Sequence, residues 1–544
     1  MSLRARSVVG LAAALLALAL AGWALVEGSP SRSTVLLVGS YHGKTGQYAT
    51  IQAAVDAAQP GDWILVAPGD YHEGDDAQET SATQLSTGDH GGVVVTTPDI
   101  HIRGMDRNTV IVDGTKAGSS PCSSAAPDQN LGPVVGGKAQ GRNGIVVWKA
   151  NNVSIENLTV CNFQGGAGDS GNEVWWNGGD GSGKIGLAGY TGTYLTGTTT
   201  FFSTESTAAE YGIFSSNSQG PGHWNQIYGS NMNDSGMYVG ACLQVCDITI
   251  DHAWMENNAL GYSGTNSGGS VVIENSQFDD NEDGVDTNTQ IAGDPPPPQN
   301  GACPHGATSP ITHTHSCWVF MHNDVHDNNN ADVPQAGNAA AGPIGTGMTL
   351  SGGRNDTVMD NTFSNNGAWG TLFIPYPDSG TPSLHQKCGD YGGYETGGIG
   401  CLFEDENDRL AGNTYVHDGF FGNPTNADFG QIVVHSGLPS NCYAGNNAPQ
   451  GSAPPHLEIL QPTCGEPSTA TNLDGALVTQ VECDSGLESC PPGTKYPAKT
   501  SVHLKSLPRN LPTMADPCAG VPSNAWCTSG SSTGSSMGST NRHG

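Results

Sequence analysis

Ile250-Asp-His-Ala-Trp-Met255 and Ile273-Glu-Asn-Ser-Gln-Phe278 decide how this chain folds, with Ile227-Tyr-Gly-Ser-Asn-Met232 before them. Each piece opens on Ile and carries a large apolar residue five positions on. The starting points lie 23 residues apart twice in succession (250 − 227 and 273 − 250). A fixed period in the low twenties marks a solenoid, whose units cannot bury their apolar side chains alone but can when stacked. Inside each unit Ile, Val, Tyr and Phe alternate with Asn, Ser, Thr and Asp, which is the period of a strand. Gly236, Gly261 and Gly284 follow the units and are expected at sharp corners. The register predicts Ile227, Ile250 and Ile273 one above another.

Weaker copies flank this core. Ile155-Glu-Asn-Leu-Thr-Val160 precedes it. Phe320-Met-His-Asn-Asp-Val325, Val358-Met-Asp-Asn-Thr-Phe363 and Leu410-Ala-Gly-Asn-Thr-Tyr415 follow. Their irregular spacing places insertions at 115–142, 164–208, 292–316 and 375–400. Near the start, Thr50 to Ala58 reads as a short amphipathic helix with Ile51, Ala54, Val55 and Ala58 on one face. Such a helix would cover the open apolar end of a strand stack.

The coil resembles the right-handed parallel β-helix of the pectate-lyase-like superfamily over residues 34 to 435. The block from Tyr48 through Val55 and on through Val66 to Tyr71 is similar to the N-terminal cap and first coil of pectin methylesterases. The resemblance implies an all-β fold: a right-handed parallel β-helix solenoid with a short N-terminal capping helix and an irregular Cys/Pro-rich C-terminal region. The expected segments are an export signal or membrane anchor at 1–31, cap and first coil at 32–72, the β-helix at 73–438, the Cys/Pro-rich region at 439–527 and a Gly/Ser tail at 528–544. Since one fold hosts many chemistries, the resemblance does not name a reaction.

The chain has 544 residues, 19 Lys plus Arg against 51 Asp plus Glu, and a net charge of −32. Phosphate binding needs a basic face, so nucleic acid is excluded as a partner. Arg4 and Arg6 precede an uncharged apolar run from Val8 to Val26, an export signal or an anchor that places the bulk outside the cytoplasm. There, fourteen cysteines imply disulfides, and Cys242 with Cys246 is one expected pair.

Three constellations carry chemistry. The first is Asp279-Asp-Asn-Glu-Asp-Gly-Val-Asp286. Val285 should point inward and Asp286 outward. The carboxylates of Asp279, Asp280, Asp283 and Asp286 make an oxygen-rich set for Ca²⁺. The run resembles the aspartate-rich segment through which some β-helix pectate lyases bind Ca²⁺. If it is catalytic, Asp283 and Asp286 act with Arg354 as a remote base. No lysine lies on neighbouring coils in the sequence, and the signatures of galacturonan hydrolases, pectin methylesterases and pectate lyases are incomplete. Alternatively Asn281, Asp283 and Gly284 simply build a corner.

The second is Cys303-Pro-His305 followed by His313-Thr-His315-Ser-Cys317. It offers ligands for Zn²⁺ or copper, or a Cys303–Cys317 disulfide with solvated His. The third is Glu404-Asp-Glu-Asn-Asp-Arg409, a Ca²⁺ set or a solvated turn. Trp175, Trp176, Tyr190, Tyr194, Trp224, Tyr228 and Trp369 divide between packing and a sugar-stacking groove. The leading expectation is an exported protein that binds or acts on extracellular polysaccharide, lyase-like if catalytic. The alternatives are a non-catalytic surface or adhesion module and a metal-handling protein.

Overall fold

The computed structural model describes residues 33–74, 91–168, 170–179, 185–240, 242, 246–288, 299–337, 339–378, 388–389, 392–396, 400–467 and 475–528. The expected export segment and the tail beyond residue 528 lie outside these. Among the described residues no helix is long and apolar enough to cross a membrane.

The chain winds as a right-handed parallel β-helix with three strand faces per coil. In the core coils the first face holds Ile248–Asp251, Val271–Glu274, Trp318–Met321 and Asp356–Met359. The second holds Trp254–Glu256, Gln277–Asp279, Asp324–His326 and Thr362–Ser364. The third holds Leu260–Ser263, Asp283–Asn288, Thr346–Ser351 and Trp369–Ile374. All of these pair in parallel with their counterparts one coil on.

The period-two pattern sets which side chains go inside. Ile250 pairs with Ile273, Ile273 with Phe320, Phe320 with Val358 and Val358 with Leu410. Phe278, Val325, Phe363 and Tyr415 form the matching column of the second face. All of these are buried in one continuous core. The helix Ile51–Ala57 caps the N-terminal end, with the Thr50 hydroxyl accepting from Ala53 N. Glu73 closes the same end by accepting from Ile51 N and Gln52 N.

Three expectations are corrected. Ile227 does not stack on Ile250; Trp224 takes that place, and Ile227 sits at the following corner, because the first interval is three residues longer than 23. Gly236, Gly261 and Gly284 are not at positive-φ corners. They lie within third-face strands, where a Cβ on Gly261 would come within 2.4 Å of the Gly284 carbonyl. Residues 164–208 are not a pure insertion: Asn172–Asn177 and Leu187–Thr198 form a further coil.

Asparagine and aspartate turn the corners. Asn257, Asp280, Asp327 and Asn365 adopt φ near +57° (58, 57, 56 and 56) immediately before the ladder residues of the second corner. That is a left-handed conformation these side chains tolerate. The following residues stack inside as a buried ladder. Asn258, Asn281, Asn328, Asn366 and Asp418 pass hydrogen bonds from coil to coil. A second ladder runs through Asn323, Asn361, Asn413 and Asn446.

Asn281 alone donates to Met255 O and Asn328 Oδ1 and accepts from Asn258 N and Asn258 Nδ2. Asn281→Ala would orphan these buried groups and leave a cavity. The expected loss is about 4 kcal/mol, read as a shift of the denaturant midpoint. A loss below about 1 kcal/mol would show that the ladder is not cooperative.

The coils run past residue 438, through Cys442–Ala444 and Ser452–Ala453. The helix Gly475–Asp484 then packs Leu477 and Val481 on Trp369, Leu372 and Ala427. From Tyr496 onward the chain runs back along the solenoid as an irregular strap. It bonds in turn to Asp332, Asn257, Asn231, Asn157, Arg103 and Lys44. Arg107, fully buried beneath it, donates to Thr196 Oγ1 and Pro512 O. Seven disulfides use all fourteen cysteines. Such pairing belongs to an oxidising, extracytoplasmic compartment.

Candidate functional site

The outer side of the second face brings together the polar groups with the most chemistry. Its strands read Tyr228–Ser230, Trp254–Glu256, Gln277–Asp279 and Asp324–His326. The middle residue of each points inward, so the flanking residues form two outward columns. One column is Tyr228, Trp254, Gln277 and Asp324; the other is Ser230, Glu256, Asp279 and His326. Glu256 and Asp279 are therefore register partners on adjacent coils.

Glu256 accepts from Tyr228 Oη at 2.6 Å and from the Lys505 ammonium. Lys505 belongs to the strap, 249 residues away in sequence, and also lies 3.1 Å from Asp280 Oδ2. Asp279 Oδ1 accepts from Trp254 Nε1 at 2.7 Å and Gln277 Nε2 at 3.0 Å. Burial pushes the Asp279 carboxyl above its usual range, and the charge of Glu256 adds to this. The Trp254 bond and nearby His326 oppose the rise without cancelling it. Tyr228 is raised by burial first and by Glu256 second. Trp254 is half-buried, its ring edge-on to Tyr228 at 5.1 Å. His326 Nδ1 lies 2.9 Å from Asp327 Oδ2.

The predicted aspartate quartet does not form one site. Asp279 belongs to the second face and Asp280 to its left-handed corner, while Asp283 and Asp286 lie past that corner on the third face. Val285 points inward and Asp286 outward, as the alternation requires. Asp283 accepts from Thr349 Oγ1 at 2.6 Å, and Asp286 from Ser351 Oγ at 3.0 Å and Asn288 Nδ2 at 3.0 Å. Burial raises the Asp283 carboxyl well above the ordinary range and Asp286 to about 6. Among the described residues, no group of close metal-ligating atoms includes these four. They do not fit one Ca²⁺ site.

Arg354 lies at a different corner, where Nη2 is 3.2 Å from Glu406 Oε1 and donates to Gly392 O. A guanidinium held in this way cannot serve the aspartates as a base. The Glu404 to Arg409 run turns largely inward, with Glu404, Asp405 and Asp408 buried. Cys303 and Cys317 are bonded to each other, and His305, His313 and His315 are exposed. The metal-handling reading thus loses its thiolates. Of the aromatics, Trp176, Tyr190 and Trp224 lie in the continuous core and Trp369 in a second apolar cluster, while Tyr228 is buried on the outer side against Glu256.

Glu256, Lys505 and Trp254 were not singled out as site residues from sequence, and Tyr228 only as one of the candidate groove aromatics. Trp254-Met-Glu256, Gln277-Phe-Asp279 and Asp324-Val-His326 carry a readable signal, since aligned repeats put their first and third residues on one surface. Lys505 gives no local signal.

Fold and site together define a β-helix protein with a polar, partly aromatic outer face. No family model and no curated protein matches the chain. Among solved structures it is similar to the A-module of mannuronan C-5 epimerase AlgE6 from Azotobacter vinelandii, at 14% identity over 73% of this chain and 88% of that one, with a TM-score of 0.43. The family 28 exopolygalacturonase of Yersinia enterocolitica is 11% identical over 80% of each chain, with a TM-score of 0.40. The pectate lyase Pel9A is 12% identical over 86% of this chain and 89% of that one, with a TM-score of 0.36.

Proposed function

We propose that this is an exported polysaccharide-active protein whose second face binds a glycan and cleaves its glycosidic bonds by hydrolysis. The observation that carries this is the in-register pair Glu256 and Asp279 beside half-buried Trp254. Neighbouring strands lie about 4.8 Å apart, a backbone spacing from which two such side chains can reach the roughly 5–5.5 Å carboxyl separation of retaining glycosidases. Environment divides their roles. Asp279, whose carboxyl burial raises, takes the part of proton donor to the leaving oxygen. Glu256, ion-paired with Lys505, supplies the negative charge. Trp254 offers the apolar surface on which a sugar ring stacks.

Hydrolysis is preferred to elimination because Lys505 is engaged by Glu256 and Asp280. A non-catalytic binding surface is the second reading. Only 9% of the Glu256 side chain is exposed, which favours binding through Trp254 and Asp279 alone.

The test incubates the full chain with neutral and uronate polysaccharides, with calcium and with chelator. New reducing ends without unsaturated product support hydrolysis. Chelator-sensitive unsaturated product supports a lyase and sinks the paired-carboxylate reading. Retention of polysaccharide without product supports the binding surface. On a cleaved substrate, Trp254→Ala is expected to raise KM about tenfold; an unchanged KM would place the sugar elsewhere.

A further inference from the structure

We infer that Asp70, His72 and Asp113 form a binding site for a borderline divalent cation of the Zn²⁺ class, near the N-terminal end of the solenoid. The three residues offer ligand atoms that all lie within 4.8 Å of one another. Asp70 and Tyr71 pair with Ile111 and Val112, so His72 continues that register opposite Asp113. Val112 points inward, which leaves Asp113 outward, and two-residue spacing puts Asp70 and His72 on the same side.

The groups behind these ligands are those a metal site requires. His72 Nδ1 lies 2.9 Å from Thr115 O, a contact that fixes the ring and turns Nε2 toward the carboxylates. Asp113 is aimed by Thr115 N at 2.8 Å on Oδ1 and Cys122 N at 2.6 Å on Oδ2. The Cys122–Cys161 disulfide ties that second donor to the next coil, since Cys161 is the register partner of Asp113. A carboxylate oxygen that accepts one N–H keeps a second lone pair for a cation.

One ligand atom at this spot has no partner among the described residues. Asp70 Oδ1 is buried and unpaired, while Oδ2 lies 3.2 Å from His72 Nε2. The Thr115 hydroxyl, with no exposed surface, lies beside the Asp113 carboxyl and supports its charged form. A buried orphan carboxylate oxygen beside a His and a second carboxylate is what a bound cation satisfies. One imidazole and two carboxylates suit Zn²⁺ or Mn²⁺ better than Ca²⁺, and three protein ligands leave a position for water. Arg142 binds the neighbouring carbonyls Gly114 O and Glu73 O and is the nearby positive charge the cation must tolerate.

The test is titration of the chelator-treated full chain with Zn²⁺ by calorimetry, with metal content measured after dialysis. One tight equivalent is expected. His72→Ala and Asp70→Asn should each weaken it by more than about 100-fold, beyond the range of outer-shell changes. A triple His305→Ala, His313→Ala, His315→Ala variant should leave it unchanged. Asp70→Asn removes no backbone contact, so it decides the matter if His72→Ala does not fold. Zn²⁺ binding that survives Asp70→Asn, or follows the exposed histidines, overturns the site. Absence of any tight equivalent does the same and leaves His72 and Asp70 as a plain ion pair.

Discussion

Glu256→Gln is expected to lower kcat on the cleaved polysaccharide by about 10³-fold with little change in KM. The amide keeps the shape of the side chain and still accepts from Tyr228 Oη, whose bond at 2.6 Å anchors it. What it loses is the charge that pairs with Lys505 and that the proposed hydrolysis sets against the sugar's reacting carbon. Asp279→Asn should differ in kind. It removes the proton donor, so a substrate whose leaving group needs no protonation loses little, while the polysaccharide loses about as much as with Glu256→Gln. The wild-type rate should fall on the alkaline side as Asp279 deprotonates, because burial raises that carboxyl and a general acid works only while protonated. That limb should disappear in Asp279→Asn. Equal losses on both substrate types, or an alkaline limb that persists in Asp279→Asn, would assign the pair a structural role.

Much of the fold was legible because the strand columns repeat. Ile250 and Ile273, with Phe320, Val358 and Leu410 after them, are read correctly from the spacing of apolar residues alone. Ile227 misleads because corners vary in length: three extra residues moved an Ile from a strand to a turn and left Trp224 in its column. The Gly- and Thr-rich stretch after residue 164 looked irregular by composition. Gly192 and Gly197 are inside, Gly192 against Trp176 and Trp224 and Gly197 against Gly212. Packing there overrides strand propensity.

The site was half legible. Asp279 was visible in an acidic run, but the left-handed Asp280 splits that run between two faces. No local pattern announces that a strap returning from the C-terminal end delivers Lys505 to Glu256.

The second large effect is on stability, which should be greatest near pH 4 and fall steadily toward pH 8. The later coils bury carboxyls. Asp418 ends the asparagine ladder, and Asp356 and Asp408 line the interior with Asp405 beside them. Burial raises all four: Asp356 and Asp405 well above the ordinary range, Asp408 to about 8 and Asp418 to about 7. A carboxyl whose folded pKa lies above its unfolded value of 3.8 binds its proton more tightly when folded. Its stabilisation is complete below that unfolded value and is lost as pH rises through the folded one.

For Asp408 alone the loss between pH 5 and pH 8 is up to about 4 kcal/mol. The net charge of −32 also disfavours compactness as pH rises, but that repulsion is screened by salt and the buried acids are not. The decline should therefore persist at high salt. Asp408→Asn separates the causes further. Its amide oxygen still accepts from Asp356 N, which now bonds Asp408 Oδ1 at 2.8 Å, and its NH₂ supplies the donor that a proton otherwise provides. The variant should match the wild type below pH 4 and exceed it increasingly toward pH 8. Denaturant midpoints that are flat or rise from pH 5 to pH 8 would mean that these carboxyls ionise without cost inside the coil.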